Sequence, residues 1–373
     1  MKIVINALSA RLGGGQTYLK NLMAHLPANL DLDILIFAPP SLRLPEDKRI
    51  RQGRTFWPVV NPILRTFWEI FVFPRILAKE KAQVLFCPGG VVATRVPKGC
   101  RTATMFRNMI PFDSVAIARI PFGFQMARNF LLKQVMLRSM ASADLTIFIS
   151  RHARKLIETL TPIRNPVTIP HGISAAFRTH LQVLQRPAWL PTGEYLLYVS
   201  RFDVYKHQFE VATAFAALPS DLTRRYKLLL VGEPDQVLVH KVTELARTRA
   251  LSDQILVVGP VAYADLPAAY HHATVNLFAS SCENCPNILL EALGAGRPVL
   301  SSDVMPMPEF GVDAVGYFSP TDPKSISDAL INVLLDETRS KELAAAAARR
   351  SADFDWEATS RKTWQHITAL IGR

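Results

Sequence analysis

A short apolar strand, a loop, a helix and a second strand follow one another in the last third of the chain, and this order constrains the fold most. The run at 274–279 predicts a buried strand, Pro286 suits the first position of a helix, and Gly294 and Gly296 end that helix before a strand at 298–301. In such a unit the helix N-terminus, with its unpaired N–H groups, opens where the preceding strand ends. This geometry favours an anionic group such as a phosphate.

The same alternation of strands and helices recurs along all 373 residues. It predicts parallel α/β sheets, and a chain of this length is expected to form two domains. The stretch at 173–193 has no clear period and contains Pro187, Pro191 and Gly193, so we place the hinge there. Residues 1–180 are assigned to the first domain, 181–350 to the second, and 351–373 to a C-terminal segment. Further strands are predicted at 2–8, 33–38, 84–87, 101–106, 145–149, 167–169, 195–199, 226–231 and 255–258.

The formal charge of +12 is concentrated in one half of the chain. Residues 1–180 carry 25 Lys and Arg against 9 Asp and Glu, a net +16, whereas residues 181–373 carry 18 against 22, a net −4. The first half is therefore expected to meet an anionic surface. No helix-turn-helix, zinc-finger or aromatic RNA-binding motif is present, so nucleic acid is not expected and an anionic membrane leaflet fits better.

The segment 55–78 is rich in aromatic residues and is bordered by arginine and lysine. Arg65, Glu69 and three prolines exclude a membrane-spanning helix, and two interpretations remain equal: an amphipathic element on lipid headgroups, or a core helix. No run of about 18 apolar residues occurs, and Met1 leads directly into a strand, so we expect a cytoplasmic protein.

The four cysteines are too few and too scattered for a disulfide framework. Cys282 and Cys285 form a C-x-x-C, but no second pair or spaced histidine pair accompanies them. A zinc site or a redox role is therefore disfavoured against two small loop residues.

Two loops at predicted strand ends suit phosphate groups. Gly14 and Gly15 belong to a run of three glycines between the first strand and its helix, where backbone N–H groups can approach a ligand closely. The spacing matches neither a dinucleotide fingerprint nor a P-loop, and a flexible turn is the alternative. In the second domain, Arg201 and Lys206 lie in the loop after the strand at 195–199 and can neutralise a diphosphate as its charge develops.

Two carboxylates flank the start of the helix in which Pro286 is expected at the first position. Glu291 lies inside that helix, where ribose hydroxyls or a structural pairing would satisfy it, and Glu283 in the preceding loop can accept hydrogen bonds from sugar hydroxyls. A glycoside hydrolase would also use two carboxylates, but it would need neither the basic loop nor the glycines.

Several motifs, in this order, resemble family 4 retaining glycosyltransferases with the GT-B fold. They are the N-terminal glycine loop, Pro170-His171-Gly172, Arg201 with Lys206, the Glu283-x7-Glu291 stretch followed by Ala-Leu-Gly-Ala-Gly-Arg-Pro-Val, and Phe354-Asp355-Trp356-Glu357. The resemblance implies two Rossmann-like domains facing a central cleft, with the C-terminal helix crossing back to the first domain.

The resemblance also implies the roles of the site residues. Arg201 and Lys206 would bind the diphosphate of a UDP- or GDP-linked sugar, Glu291 the ribose and Glu283 the transferred hexose, while the backbone of Gly14 and Gly15 would close over the phosphates. Transfer would retain the anomeric configuration and typically need no metal and no other cofactor.

The sequence departs from the family pattern at two places. Many members carry Glu-Gly-Phe-Gly where this chain has Glu283-Asn284-Cys285-Pro286 followed by Asn287, so these residues are expected to line the donor-sugar pocket. Many carry a His-Asp pair where this chain has Arg107 and Asn108, which become the candidates for acceptor binding. His171 and His207 are interpreted as ordinary polar loop residues.

Together these observations predict a hexosyltransferase of cell-surface glycan biosynthesis, peripheral on the inner face of the cell membrane. The acceptor would be lipid-linked or a polysaccharide precursor, as in lipopolysaccharide assembly. A nucleotide-sugar epimerase of the same architecture, or a non-catalytic sugar-nucleotide-binding subunit, are the alternatives.

Overall fold

The computed structural model describes residues 1–10, 13–55, 61–118, 123–178 and 184–372. They form two compact units, one of residues 1–172 with 356–373 and the other of residues 173–355. The N-terminal segment of the first unit thus ends at Gly172, whereas the sequence predicts the domain boundary after residue 180. Arg11 and Leu12 of the glycine loop and Phe56, Trp57 and Pro58 of the aromatic segment lie outside the described residues.

The first unit is built on a seven-stranded parallel sheet with the order β3-β2-β1-β4-β5-β6-β7. The strands are β1 Lys2–Asn6, β2 Asp33–Phe37, β3 Ile50–Gln52, β4 Val84–Cys87, β5 Arg101–Phe106, β6 Leu145–Phe148 and β7 Pro166–Thr168. The α-helices are α1 Gly14–Ala24, α2 Pro62–Phe67, α3 Phe73–Lys79, α4 Ser114–Ala118, α5 Phe124–Ser142, α6 Arg151–Glu158 and α15 Trp356–Thr368. The central strands are almost continuously apolar and buried, as parallel strands covered on both faces must be.

The C-terminal helix α15 packs against α1 within this unit. Trp364 donates its indole N–H to the carbonyl of Leu22 at 3.1 Å, and the Ser360 hydroxyl donates to the carbonyl of His25 at 2.8 Å. Both side chains are buried. These contacts explain why residues 356–373 belong to the same unit as the N-terminus.

The aromatic segment divides between core and surface. Trp68 lies in a π-helix, Trp68–Val72, and stacks on Phe73 at a centroid distance of 4.8 Å, with Phe37 of β2 packed against both rings. Phe67 and Phe71 instead face solvent. The core interpretation therefore describes Trp68 and Phe73, and contact of the exposed side chains with lipid headgroups stays a prediction. Across the part of the chain that the structure describes, no helix combines the length and apolarity needed to cross a membrane.

The second unit contains a six-stranded parallel sheet with the order β10-β9-β8-β11-β12-β13. Its strands are β8 Glu194–Val199, β9 Tyr226–Val231, β10 Ile255–Gly259, β11 Val275–Phe278, β12 Val299–Ser302 and β13 Gly316–Phe318. Its α-helices are α7 Gln208–Ala216, α8 Ser220–Arg225, α9 Gln236–Thr248, α10 Leu266–His272, α11 Asn287–Gly294, α12 Met307–Gly311, α13 Pro323–Leu335 and α14 Glu337–Ser351.

Two parallel α/β sheets confirm the predicted fold class, and the differences are local. Sequence analysis missed the edge strands β3 and β13, since three residues are too few for a hydrophobic period. Pro286 lies one position before α11 rather than inside it, with ψ near 77°. Helix α11 therefore begins at Asn287.

Candidate functional site

The candidate site of the second unit lies where the strand order of its sheet reverses. Strands β8 and β11 are neighbours in the sheet, with Leu196 beside Val275, although two strands and their helices separate them in the chain. The chain leaves β8 toward β9 on one side and leaves β11 toward β12 on the other. Loops diverge at such a switch point and leave a crevice at the carboxyl ends of the strands, where doubly wound folds bind ligands.

The loop after β8 is held in shape by its own backbone. Ser200 and Phe202 donate N–H groups to the carbonyls of Val231 and Glu233, each at 2.8 Å, which extends the pairing with β9. Gly232 makes this approach possible because a Cβ there would lie 2.1 Å from the carbonyl oxygen of Ser200. The Asp203 carboxylate then accepts the N–H of Val204 at 2.9 Å and begins a single 3₁₀ turn, Val204–Lys206.

Lys206 and Glu283 form an ion pair across the switch point. The Lys206 ammonium contacts Glu283 Oε1, and their side chains are only 7% and 17% exposed. The ammonium also lies 5.3 Å from the ring centroid of Tyr205 and 5.4 Å from that of Phe278, at cation–π distance. A cation so little exposed interacts strongly with any further anion that reaches it, because water screens it weakly.

The two loops that carry this pair are also tied to each other. Ser281 donates its N–H to the carbonyl of Tyr205 at 2.8 Å, and the Ser281 hydroxyl lies 2.8 Å from Nε2 of His207. His207 is buried and adopts a left-handed backbone conformation, with φ 54°, which turns the chain into α7. We infer that His207 positions the Lys206 loop.

Arg201 presents an exposed guanidinium on the same loop. Its side chain is 63% exposed, and its nearest carboxylate, that of Asp203, is 3.9 Å away. Its backbone carbonyl accepts the Gln208 side-chain amide at 2.8 Å, which fixes the position from which the guanidinium extends. Arg201 can therefore bind an anion without first breaking a short ion pair.

Helix α11 opens at the same edge of the sheet. Asn284 and Cys285 are buried, Asn287 donates its N–H to the carbonyl of Cys285 at 2.9 Å, and Pro286 accepts the first helical hydrogen bond, from Leu290, at 3.0 Å. The positive end of this helix thus follows the Glu283 loop directly. Cys282 and Cys285 are buried and form no disulfide, and the described residues contain no group of three or more metal-ligating side chains.

Glu291 lies one turn into α11 and is paired with Tyr263. The Tyr263 hydroxyl donates to Glu291 Oε1 at 2.8 Å, and its ring packs edge-on against Phe177 at 5.6 Å. Burial raises the pKa of the Glu291 carboxyl to about 7, against the opposing effect of the Tyr263 hydrogen bond. Sequence analysis missed Tyr263; its position just after β10 at the carboxyl edge of the sheet was the available indication.

The candidates of the first unit lie at the carboxyl edge of its own sheet. Gly14 and Gly15 begin α1, and a Cβ on Gly15 would lie 3.2 Å from a guanidinium nitrogen of Arg107. The Arg107 guanidinium lies over the Tyr18 ring, 5.7 Å from its centroid. Asn108 has a local structural role, since its side-chain oxygen accepts the N–H of Ile110 at 3.2 Å.

The structure thus brings the predicted residues together as two groups. Arg201, Lys206, Glu283 and the 284–287 turn share the switch point of the second sheet, with Glu291 one turn further along α11. Gly14, Gly15, Arg107 and Asn108 share the edge of the first sheet. Their ligand roles stay predictions, but both groups lie where doubly wound nucleotide-binding folds bind ligands.

Two family models together span most of the chain. The model for Glycosyltransferase Family 4 matches residues 12–177, and that for Glycosyl transferases group 1 matches residues 184–350. The chain belongs to glycosyltransferase family 4 and has the GT-B fold.

Two curated relatives are mannosyltransferases of Escherichia coli. The serotype-specific mannosyltransferase WbdA of Escherichia coli is 28% identical over 192 residues, which are 51% of this chain and 23% of WbdA, so the chain spans less than a quarter of that relative. O-antigen chain mannosyltransferase B of Escherichia coli is 27% identical over 267 residues, 69% of each chain.

The solved structures agree on the fold. Sucrose-phosphate synthase from Thermosynechococcus elongatus superposes with a TM-score of 0.76 at 19% identity over 99% of both chains. HepE from Anabaena, solved with UDP and glucose, gives 0.72 at 14% identity over 99% of this chain and 100% of HepE.

Proposed function

We propose that this chain is a retaining glycosyltransferase that moves a hexose from a nucleotide sugar to a lipid-linked or polysaccharide-precursor acceptor. The observation that carries the proposal is the Lys206–Glu283 pair with Arg201 beside it at the switch point of the second sheet. This arrangement combines two cations for a leaving diphosphate with a carboxylate for sugar hydroxyls.

Each residue has a step that its geometry suits. Arg201 and Lys206 neutralise the charge that develops as the bond between the anomeric carbon and the phosphate oxygen breaks, and Glu291 accepts hydrogen bonds from the ribose. Glu283 accepts hydrogen bonds from hydroxyls of the departing hexose. The acceptor oxygen attacks from the face that the diphosphate leaves, and a donor phosphate oxygen takes the acceptor proton, so configuration is retained.

The donor is a UDP- or GDP-linked hexose. Mannose is the first sugar to test, because WbdA and O-antigen chain mannosyltransferase B are named for its transfer. UDP is the first nucleotide to test, because HepE was solved with UDP. The 284–287 turn, which departs from the common family pattern beside Glu283, is the proposed determinant of sugar choice.

A donor panel tests this proposal. UDP- and GDP-linked glucose, galactose, N-acetylglucosamine and mannose are incubated with the protein, with and without a saccharide acceptor, and nucleoside diphosphate release and product masses are recorded. Release that depends on acceptor supports transfer, and loss of product in Glu283→Ala supports the role of that residue. Absence of release from every donor, together with no thermal protection by UDP or GDP, refutes the proposal, and consumption without acceptor would favour the epimerase.

We further propose that the first unit docks on the anionic inner leaflet of the cell membrane. Its support is the net charge of +16 over residues 1–180 and the exposure of large apolar side chains on α2, the π-helix and α5. These side chains are Ile63, Phe67, Ile70, Phe71, Phe124, Phe130 and Leu131. In vesicle sedimentation, binding should require phosphatidylglycerol and fall with salt; equal recovery with neutral and anionic vesicles would contradict the proposal.

A further inference from the structure

The first sheet has a switch point of its own, in addition to the one in the second sheet that carries the Lys206–Glu283 pair. The order β2-β1-β4 makes β1 and β4 neighbours, with Ile5 beside Phe86, while the chain runs outward from them in opposite directions. The loops that follow the two strands touch, because a Cβ on Gly89 would lie 2.2 Å from the Ser9 hydroxyl. The same topological rule that locates the Lys206–Glu283 pair therefore points to this edge.

A carboxylate is held at that edge from a distant part of the chain. Glu69 Oε1 accepts the side-chain amide N–H of Asn6, the last residue of β1, at 2.8 Å, and the guanidinium of Arg65 lies 3.9 Å from the same oxygen. The Glu69 side chain is 12% exposed, and burial raises the pKa of its carboxyl. Asn6 is itself oriented, since its oxygen accepts the N–H of Leu8 at 3.4 Å and its nitrogen therefore faces Glu69.

The backbone that carries Glu69 is fixed by the core. Glu69 follows Trp68 in the π-helix, and Trp68 stacks against Phe73 and packs on Phe37. A π-helical turn inserts an extra residue and is frequently found at functional sites. In this turn the consecutive residues Trp68 and Glu69 point in different directions. Trp68 enters the core, and Glu69 reaches Asn6 at the end of β1.

One oxygen of this carboxylate is left for a ligand. Among the described residues, the contacts of Glu69 with Asn6 and Arg65 both use Oε1, so Oε2 has its lone pairs available. A carboxylate with little exposure is a strong acceptor for hydroxyl donors, which saccharides present in abundance. Arg107, at the end of β5 on the same edge, adds a cation suited to an anionic group of the acceptor.

We propose that Glu69, oriented by Asn6, binds a hydroxyl group of the saccharide acceptor at the switch point between β1 and β4. Glu69 accepts the hydrogen bond through Oε2, and Asn6 is a positioning residue. This inference rests on the proposed transferase function and names a residue of its acceptor site.

The test compares Glu69→Gln with Glu80→Gln. The glutamine carbonyl oxygen can still accept the Asn6 amide N–H, so the fold is kept, but the glutamine NH2 group then takes the place of Oε2 and cannot accept a hydrogen bond from a hydroxyl. Glu80 is the matched control because it pairs with Lys2, the first residue of β1, at the opposite edge of the same sheet. Asn6→Ala is the second variant.

Two readouts are used with methyl α-D-mannoside as the probe. In transfer assays, Glu69→Gln should raise the acceptor KM about tenfold, as expected for loss of a charge-assisted hydrogen bond, while the donor KM stays unchanged. Asn6→Ala should raise the acceptor KM less, and Glu80→Gln not at all. Saturation-transfer NMR should show weaker mannoside binding to Glu69→Gln than to Glu80→Gln.

Equal binding and equal KM in the Glu69→Gln and Glu80→Gln variants would overturn the inference, as would no saturation transfer to the unsubstituted protein. If no donor is turned over, the proposed function fails on its own account, and the NMR comparison still decides the role of Glu69.

Discussion

Lowering the pH should release the nucleotide through protonation of Glu291. Burial raises the pKa of this carboxyl to about 7. The groups that face it are the phenols of Tyr263 and Tyr270, whose own pKa values are raised by burial, so both stay neutral near pH 7. Ribose hydroxyls donate to the ionised carboxylate, and protonation removes the stronger acceptor.

The magnitude follows from that pKa. If only the ionised form binds, the apparent Kd increases by the factor 1 + 10^(pKa − pH), which is about 1.1 at pH 8, about 2 at pH 7 and about 11 at pH 6. Affinity is therefore lost as pH falls through 7 and recovered above it. Tyr263→Phe removes the hydrogen bond that lowers the Glu291 pKa, so its loss of affinity should begin at higher pH.

Calorimetric titration with UDP and GDP at pH 6, 7 and 8 measures this effect. The terminal phosphate of the nucleotide itself titrates at about pH 6. The Glu291→Gln variant is therefore measured in parallel, and the pH dependence of its affinity is subtracted. The same slope in the unsubstituted protein and in Glu291→Gln would refute the reasoning.

The raised pKa of Glu291 also determines whether its ionisation stabilises or destabilises the folded protein. Because the folded-state pKa lies above the 4.5 of an unperturbed glutamate, ionisation of Glu291 destabilises the free protein above pH 4.5, and fully so above about 7. Glu291→Gln should therefore raise Tm at pH 8 and leave it unchanged at pH 4. A lower Tm at pH 8 would show that the carboxylate is compensated in the free protein.

Substitutions at Lys206, Arg201 and Gly232 test stability and nucleotide binding separately. Lys206→Ala leaves the Glu283 carboxylate buried without its cation and should lower the free energy of unfolding by about 3 kcal/mol in urea titrations. The double variant Lys206→Ala/Glu283→Ala should recover much of that loss. An equal or greater loss in the double variant would contradict the pairing. Arg201→Ala removes an exposed side chain and should change stability by less than about 0.5 kcal/mol, while weakening nucleoside diphosphate binding about tenfold; unchanged binding would exclude its proposed role. Gly232→Ala brings a Cβ to 2.1 Å from the Ser200 carbonyl oxygen and should displace the Arg201 loop, which lowers both Tm and nucleotide affinity. Unchanged Tm and affinity in this variant would show that the loop accommodates the extra methyl group.

Much of the fold was predictable because its elements are locally encoded. Strands β4, β5 and β9 lie at the predicted residues; β4 and most of β9 are apolar runs, and all three end at a loop. The placement of Arg201, Lys206 and Glu283 at strand ends follows from the same pattern. The edge strands β3 and β13 were missed because three residues pair only when a neighbouring strand is already in place.

The candidate site residues were likewise predicted only in part. Sequence analysis identified Glu291 but not its partner Tyr263, and it counted Glu69 only as a charge that excludes a membrane span. The position of Tyr263 after β10 places it at the carboxyl edge of the sheet, but nothing local indicates that its side chain reaches α11 or that Glu69 reaches the end of β1.

The amino-acid sequence by itself determined two parallel α/β sheets, their helices and the loops that carry the charged residues, because hydrophobic period, glycine and proline act over a few residues. Only the tertiary structure decided which loops meet. Lys206 contacts Glu283 across 77 residues of chain, and Glu69 contacts Asn6 across 63. Such contacts depend on the lateral order of the strands, which is set by the packing of whole elements and leaves no trace in the local pattern.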